Sequence, residues 1–136
     1  MSSACALFVT TTDQKRLAGV MARLQGRLAG EGSALREGMA AARIVASHEV
    51  PPDVVTMNSR LVLDDATTGE LREVTLVYPW DADPDAGKES VFSPLGTVLL
   101  GRRIGRQVDW VENGAEHRAC IAQIVFQPEA HGAFYL

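Results

Sequence analysis

Cysteine is scarce: Cys5 and Cys120 are the only two in 136 residues, and they lie far apart. Two such thiols do not make a disulfide framework, and reduced cysteines in a cytoplasmic protein are expected. Long apolar runs are missing too. None approaches the roughly 18 residues of a membrane span, so no membrane partner is expected. The opening stretch, Met1-Ser2-Ser3-Ala4-Cys5-Ala6-Leu7-Phe8-Val9, has neither a charged n-region nor a long apolar segment, which argues against a signal peptide. Positive charge is not in excess. A net charge of −4 excludes a protein that coats DNA or RNA nonspecifically, because phosphate binding needs a basic surface; no direct sequence-specific nucleic-acid binding is expected.

The usual constellations of chemistry are absent as well. His48, His117 and His131 are scattered and no cysteine neighbours them, so metal-ligand spacing is lacking. Asp81, Asp83 and Asp85 alternate like the first ligands of a calcium loop. The sixth and twelfth places, however, are Ala86 and Phe92, where an EF-hand needs Gly and Glu. Gly96-Thr97-Val98-Leu99-Leu100-Gly101-Arg102-Arg103 echoes a phosphate-binding loop but lacks the Lys-Ser/Thr pair and has an apolar centre. No Ser-His-Asp arrangement can be read from one sequence. No catalytic residue, metal or cofactor is therefore assigned, and the chain is read as a non-enzyme.

What is present is a hydrophobic content of 46%, enough for one ordinary core or a compact domain with an appendage. Residues 1–50 hold six Lys/Arg and four Asp/Glu, a net of +2, and the remainder seven and thirteen, a net of −6. Two differently charged halves suggest two structural units. Leu7 to Thr10 reads as a short strand. Thr11 then serves as helix N-cap with Gln14 completing a capping box. Leu17, Val20, Met21, Leu24 and Leu28 form one apolar stripe. Gly30-Glu31-Gly32-Ser33 breaks the helix, and a second helix is expected from Ala34 to Ala46, with Leu35, Met39, Ala42 and Ala46 on one face and Ile44 on the other. Together these give a short antiparallel helical hairpin, a coiled coil about 25 Å long. Val50-Pro51-Pro52-Asp53 is the expected boundary between a 1–50 hairpin and a 51–136 domain.

Beyond it the period changes. Met57, Ser59, Leu61 and Leu63 alternate with Asn58, Arg60 and Val62, as a strand does. Asp64 to Gly69 turns, and Leu71 to Tyr78 is a second strand. Pro79 to Lys88 is an acidic loop, and Ser90 to Phe92 a short strand. Ser93-Pro94 opens a helix that Gly101 closes. Val108–Val111 and His117–Phe126 are two more strands, joined by a tight turn at Asn113-Gly114. The class is α+β.

Four strings resemble, in order and spacing, the bacterial regulators of nucleoside diphosphate kinase. They are Asp53-Val54-Val55-Thr56-Met57-Asn58-Ser59, Thr75-Leu76-Val77-Tyr78-Pro79, Ser93-Pro94-Leu95-Gly96 through Leu99-Leu100-Gly101, and Gln127-Pro128-Glu129-Ala130. The likeness is strong over residues 47–136 and weak before them. The third string also resembles the C-terminal domain of the Gre transcript-cleavage factors. The resemblance implies an FK506-binding-protein-like (FKBP-like) domain, a curved antiparallel sheet wrapped on one short helix, preceded by a helical hairpin. It implies docking on core RNA polymerase at the rim of the secondary channel. Ser93, Pro94, Leu95 and Gly96 are the expected docking residues, with a purely structural cap and first turn as the other reading of them; Trp80 and Phe92 flank the region as interface anchors or, equally, core residues. In cleavage factors two acidic residues at the coiled-coil tip help hold magnesium. Here the tip Gly30-Glu31-Gly32-Ser33 offers Glu31 alone, with Glu37 more than a turn into the next helix, and the hairpin is short. The expected role is a noncatalytic competitor of Gre factors. A true cleavage factor, or an FKBP-like prolyl isomerase or chaperone module by fold analogy alone, are the alternatives. Arg102, Arg103 and Arg106 form a small basic cluster for which an acidic partner surface is one use and a solvated turn the other.

Overall fold

The computed structural model of the protein describes residues 7–23, 39–66, 68–112 and 114–132. Strand β1 (Phe8–Thr10) runs straight into helix α1 (Thr11–Arg23). The helix cap lies one residue earlier than the sequence pattern suggests: Thr10 Oγ1 accepts the Asp13 amide at 3.0 Å, so Thr10 is the residue that satisfies the free first-turn donor. Leu17, Val20 and Met21 form the buried stripe of α1, as their spacing predicts. Leu24, Leu28, Leu35 and the tip Gly30, Glu31, Gly32 and Ser33 lie outside the described residues.

The expected helix over 34–46 needs correcting at its end. Residues 39–41 are helical, but Arg43–Val45 is strand β2, parallel to β1 with Val9 opposite Ile44. A parallel partner requires a crossover, which α1 begins. Ile44 and Val45 are β-branched, and pairing with a strand 35 residues upstream outweighs the weak helical spacing of Ala42 and Ala46.

Five strands make the main sheet, in the order β5-β4-β3-β7-β6. They are β3 (Arg60–Asp65), β4 (Leu71–Val77), β5 (Lys88–Ser90), β6 (Gln107–Glu112) and β7 (Ala115–Phe126). All neighbours are antiparallel except β4 and β5. The alternation read from sequence holds: Met57, Ser59, Leu61 and Leu63 are all buried. The long β7 slips register against β3 at two places. Such bulges bend and twist a strand, and they curve the sheet around helix α2 (Pro94–Leu99).

One hydrophobic core joins the two halves of the chain. Val9, Leu17, Val20 and Met21 pack in the same cluster as Leu61, Leu76, Leu95, Leu99, Trp110 and Ile121. Met39, Ala42 and Ile44 lie against it, partly buried.

Candidate functional site

Ser93 and Pro94 start α2 as the sequence requires. Ser93 Oγ accepts from Gly96 N at 3.0 Å and donates to Ser90 O at 2.8 Å, so one hydroxyl ties the helix start to the end of β5. Ser90 Oγ in turn accepts the Phe92 amide at 3.1 Å. The strand therefore ends at Ser90 rather than Phe92, because Ser90 is already engaged in holding the turn. Gly96 is the contact point. A Cβ there would fall 1.9 Å from Ser90 O, which only glycine avoids. Gly101, at φ +83°, is also tight, since a Cβ there would lie 2.9 Å from Phe8 O.

Of the expected docking residues, the fold brings Phe92, Ser93, Pro94, Leu95 and Gly96 together but presents only two of them. Pro94 is exposed and Ser93 half-buried, whereas Phe92, Leu95 and Gly96 are buried. Leu95 is fully enclosed in the core and Gly96 faces β5, so these three support the Ser93-Pro94 edge from behind. Trp80 is different. It is 64% exposed and lies parallel to Tyr78, with ring centroids 5.1 Å apart.

The basic cluster is largely engaged. Arg103 pairs with Asp53 through two hydrogen bonds of 3.0 and 3.2 Å and lies over the Phe8 ring. Arg102 Nε donates to Val98 O, and Arg106 is exposed. Asp81, Asp83 and Asp85 sit on an exposed loop of two short 3-10 turns. Among the described residues no group of three or more His, Cys, Asp or Glu is placed to hold a metal ion.

A buried polar knot escaped the sequence reading. Asp13, 1% exposed, accepts the Met57 amide at 3.0 Å. Thr56 Oγ1 donates to Glu129 at 2.7 Å and shares a 2.9 Å hydrogen bond with Ser59 Oγ. Gln127 Nε2 donates to the carbonyls of Pro51 and Val54 at 2.8 and 2.7 Å. Burial pushes the Asp13 carboxyl up to about 7, with Glu129 adding to the rise and the Met57 amide, Arg16 and Thr10 opposing it. Asn58, at φ +67°, donates to Leu76 O, and Leu76 donates back to Ser59 O. The strings 53–59, 75–79 and 127–130 thus meet in space. Much of what makes them recognisable is mutual fastening, and no spacing rule in the sequence points to it because the side-chain ties of Thr56 and Gln127 span 73 to 76 residues.

The comparisons agree with this geometry. Residues 50–125 match the family "Transcription elongation factor, GreA/GreB, C-term". The chain is 38% identical over 96 residues to the Regulator of nucleoside diphosphate kinase of Escherichia coli, covering 70% of this chain and 71% of the relative. Among solved structures, the GreA/GreB transcription elongation factor of Nitrosomonas europaea superposes with a TM-score of 0.76 at 30% identity, over 88% of this chain and 99% of the other. GreA factor homolog 1 of Thermus thermophilus shares the fold, with a TM-score of 0.50 at 21% identity, over 89% of this chain and 99% of the other. With its curved sheet, its Ser93-capped helix and these relatives, the chain belongs to the GreA/GreB transcription elongation factor family, alongside the regulators of nucleoside diphosphate kinase.

Proposed function

We propose that the protein is a noncatalytic regulator of transcription that docks on core RNA polymerase at the rim of the secondary channel and there excludes Gre factors. The observation that carries this reading is the GreA/GreB C-terminal match over residues 50–125, which coincides with the part of the fold holding the rigid Ser93-Pro94 edge. Recognition edges work best on a supported backbone, and Ser93, Ser90 and Gly96 supply that support. The exposed Pro94 is the assigned contact, and Trp80 is a second candidate because exposed aromatics are favoured interface anchors.

The domain around α2 is read as FKBP-like, and the sequence running from α1 towards β2 as a short helical hairpin. Its turn Gly30-Glu31-Gly32-Ser33 carries a single carboxylate. Stabilising a catalytic Mg²⁺ needs several oxygen ligands presented together, so the arm is expected to occupy the channel entrance without promoting cleavage.

The test uses the full chain. It should co-purify with core RNA polymerase, and Pro94→Ala should weaken that association about tenfold, or ~1.4 kcal/mol, with an unchanged melting profile. In stalled, backtracked complexes the protein should leave the labelled transcript intact and should inhibit cleavage by a Gre factor in proportion to its own occupancy. Failure to co-purify would remove the docking assignment, and robust cleavage by the protein alone would put the cleavage-factor reading in its place.

A further inference from the structure

Between α1 and the Tyr78–Trp80 turn lies an open groove of about 500 Å³, lined by Lys15, Arg16, Arg23, Gly19, Asn58 and the two rings Tyr78 and Trp80, with Val20 beneath. We propose that this groove is a binding site for a nucleoside polyphosphate, its base stacked on the Trp80 ring and its phosphates held by Lys15 and Arg23. The proposal does not depend on docking to RNA polymerase.

Three observations support it. First, among the described residues the groove lining holds Lys15, Arg16 and Arg23 and no carboxylate, in a chain whose net charge is −4; Arg16 interacts with Asp13 and Tyr78, whereas Lys15 and Arg23 are exposed. Local charge of that sign favours a multiply charged anion. Second, Tyr78 and Trp80 are stacked within 3° of parallel. Tyr78 is buried and fixes the pair, while Trp80 is 64% exposed. A flat ring held by a buried one is a ready platform for a further planar ring, and base–aromatic stacking tolerates any nucleobase. A carboxylate side chain of an acidic peptide has no plane of that size, which favours the nucleotide over a polypeptide. Third, the groove wall is kept low by Gly19. Glycine is unfavourable inside a helix, and the fold gives no steric reason for it, since a Cβ would meet nothing within 4 Å. What its missing side chain leaves is space. The groove volume falls in the roughly 300–1,000 Å³ range of small-molecule sites.

The measurement is isothermal titration calorimetry on the full chain with guanosine diphosphate, guanosine, inorganic pyrophosphate and a short oligouridylate as probes. Guanosine diphosphate should bind saturably with a dissociation constant below about 1 mM, more weakly as salt is raised. Guanosine and pyrophosphate should each bind about tenfold more weakly or worse, because each supplies only half of the ligand. Trp80→Ala removes the platform and should cost about tenfold. The pair Lys15→Gln with Arg23→Gln should cost at least as much. Gly19→Leu, which adds bulk into open space without touching the core, should abolish binding in a chain that melts no lower than the wild type. The proposal is overturned if guanosine diphosphate gives no saturable heat, if the three variants bind as the wild type does, if pyrophosphate alone matches the nucleotide, or if only the oligouridylate binds.

Discussion

Helices α1 and α2 begin in the same way and use that beginning differently. Thr10 caps α1 and Ser93 caps α2, each accepting the amide three residues on at 3.0 Å. That third residue is Asp13 in α1 and Gly96 in α2. Asp13 sends its carboxylate into the interior to hold the Met57 amide. Gly96 sends nothing, and by sending nothing lets α2 lie directly on the carbonyl of Ser90. A cap fixes where a helix starts; the residue behind it decides how that helix is fastened to the rest. In α1 the fastening is electrostatic and titrates. In α2 it is steric and does not.

The largest expected effect breaks the steric fastening. In Gly96→Ala the new methyl would lie 1.9 Å from Ser90 O and 2.8 Å from the Val91 Cα. Those are backbone atoms of the turn that Ser93 itself holds, so the overlap is relieved only by lifting α2 off β5. Leu95 and Leu99, both fully buried, would move with it. The expected cost is about 3 kcal/mol or more, beyond the usual range for overpacking, seen as a lower urea midpoint. A loss under about 1 kcal/mol would show that the turn yields easily and that the fastening lies elsewhere.

The electrostatic fastening predicts a pH dependence. The Asp13 carboxyl is raised to about 7, burial being the main cause. An unfolded Asp titrates near 3.9. Between these values the folded state holds a proton that the unfolded state has released. This group's contribution is therefore fully present below about pH 4 and is lost as pH rises through about 7, an effect on the order of a few kcal/mol. Asp13→Asn keeps an oxygen to accept the Met57 amide but cannot ionise. It should be more stable than the wild type at pH 8 and show a flatter profile between pH 5 and 8. Urea unfolding at four pH values across that window checks it, and parallel profiles for the two proteins would refute the assignment. No such dependence is expected from the α2 start, which contains no ionisable group.

How much of this could be read from the chain follows the same division. Ser93 and Pro94 announced α2 because cap and first-turn signals are local, and Leu61 and Leu63 announced β3 because alternation needs only a few residues. Strand β2 was missed because three residues cannot establish a period, and its partner lies across the α1 crossover. The inward turn of Asp13 was missed because an acid in a first helical turn usually faces solvent, and nothing nearby reveals an unpaired amide at Met57. For Phe92 the sequence leaves core and interface equally open, and Leu95 reads as a contact beside a structural alternative, because apolar residues next to a proline serve either use. Only the sheet behind them decides, and it places them at 4% and 0% exposure. For Trp80 the sequence leaves interface and core equally open, and its stacking on Tyr78 depends on a turn geometry that composition does not convey.

The smallest expected effect has the opposite sign and separates two reasons for a glycine. Gly19 lies inside α1, exposed, with nothing within 4 Å of a built Cβ. Its φ is not in the left-handed region that would demand glycine, and no backbone approaches it as Ser90 approaches Gly96. Alanine should therefore fit without strain and restore helix propensity. Gly19→Ala is expected to stabilise the protein by about 1 kcal/mol, a rise of about 4 °C in melting temperature for a domain of this size. A methyl is small beside a groove of about 500 Å³, so guanosine diphosphate should bind Gly19→Ala nearly as well as wild type, whereas Gly19→Leu should not bind it. Thermal melting and calorimetry on the pair read both quantities. If alanine destabilised the helix, the space around Gly19 would be filled by something close to its Cα, and the contrast with Gly96 would vanish.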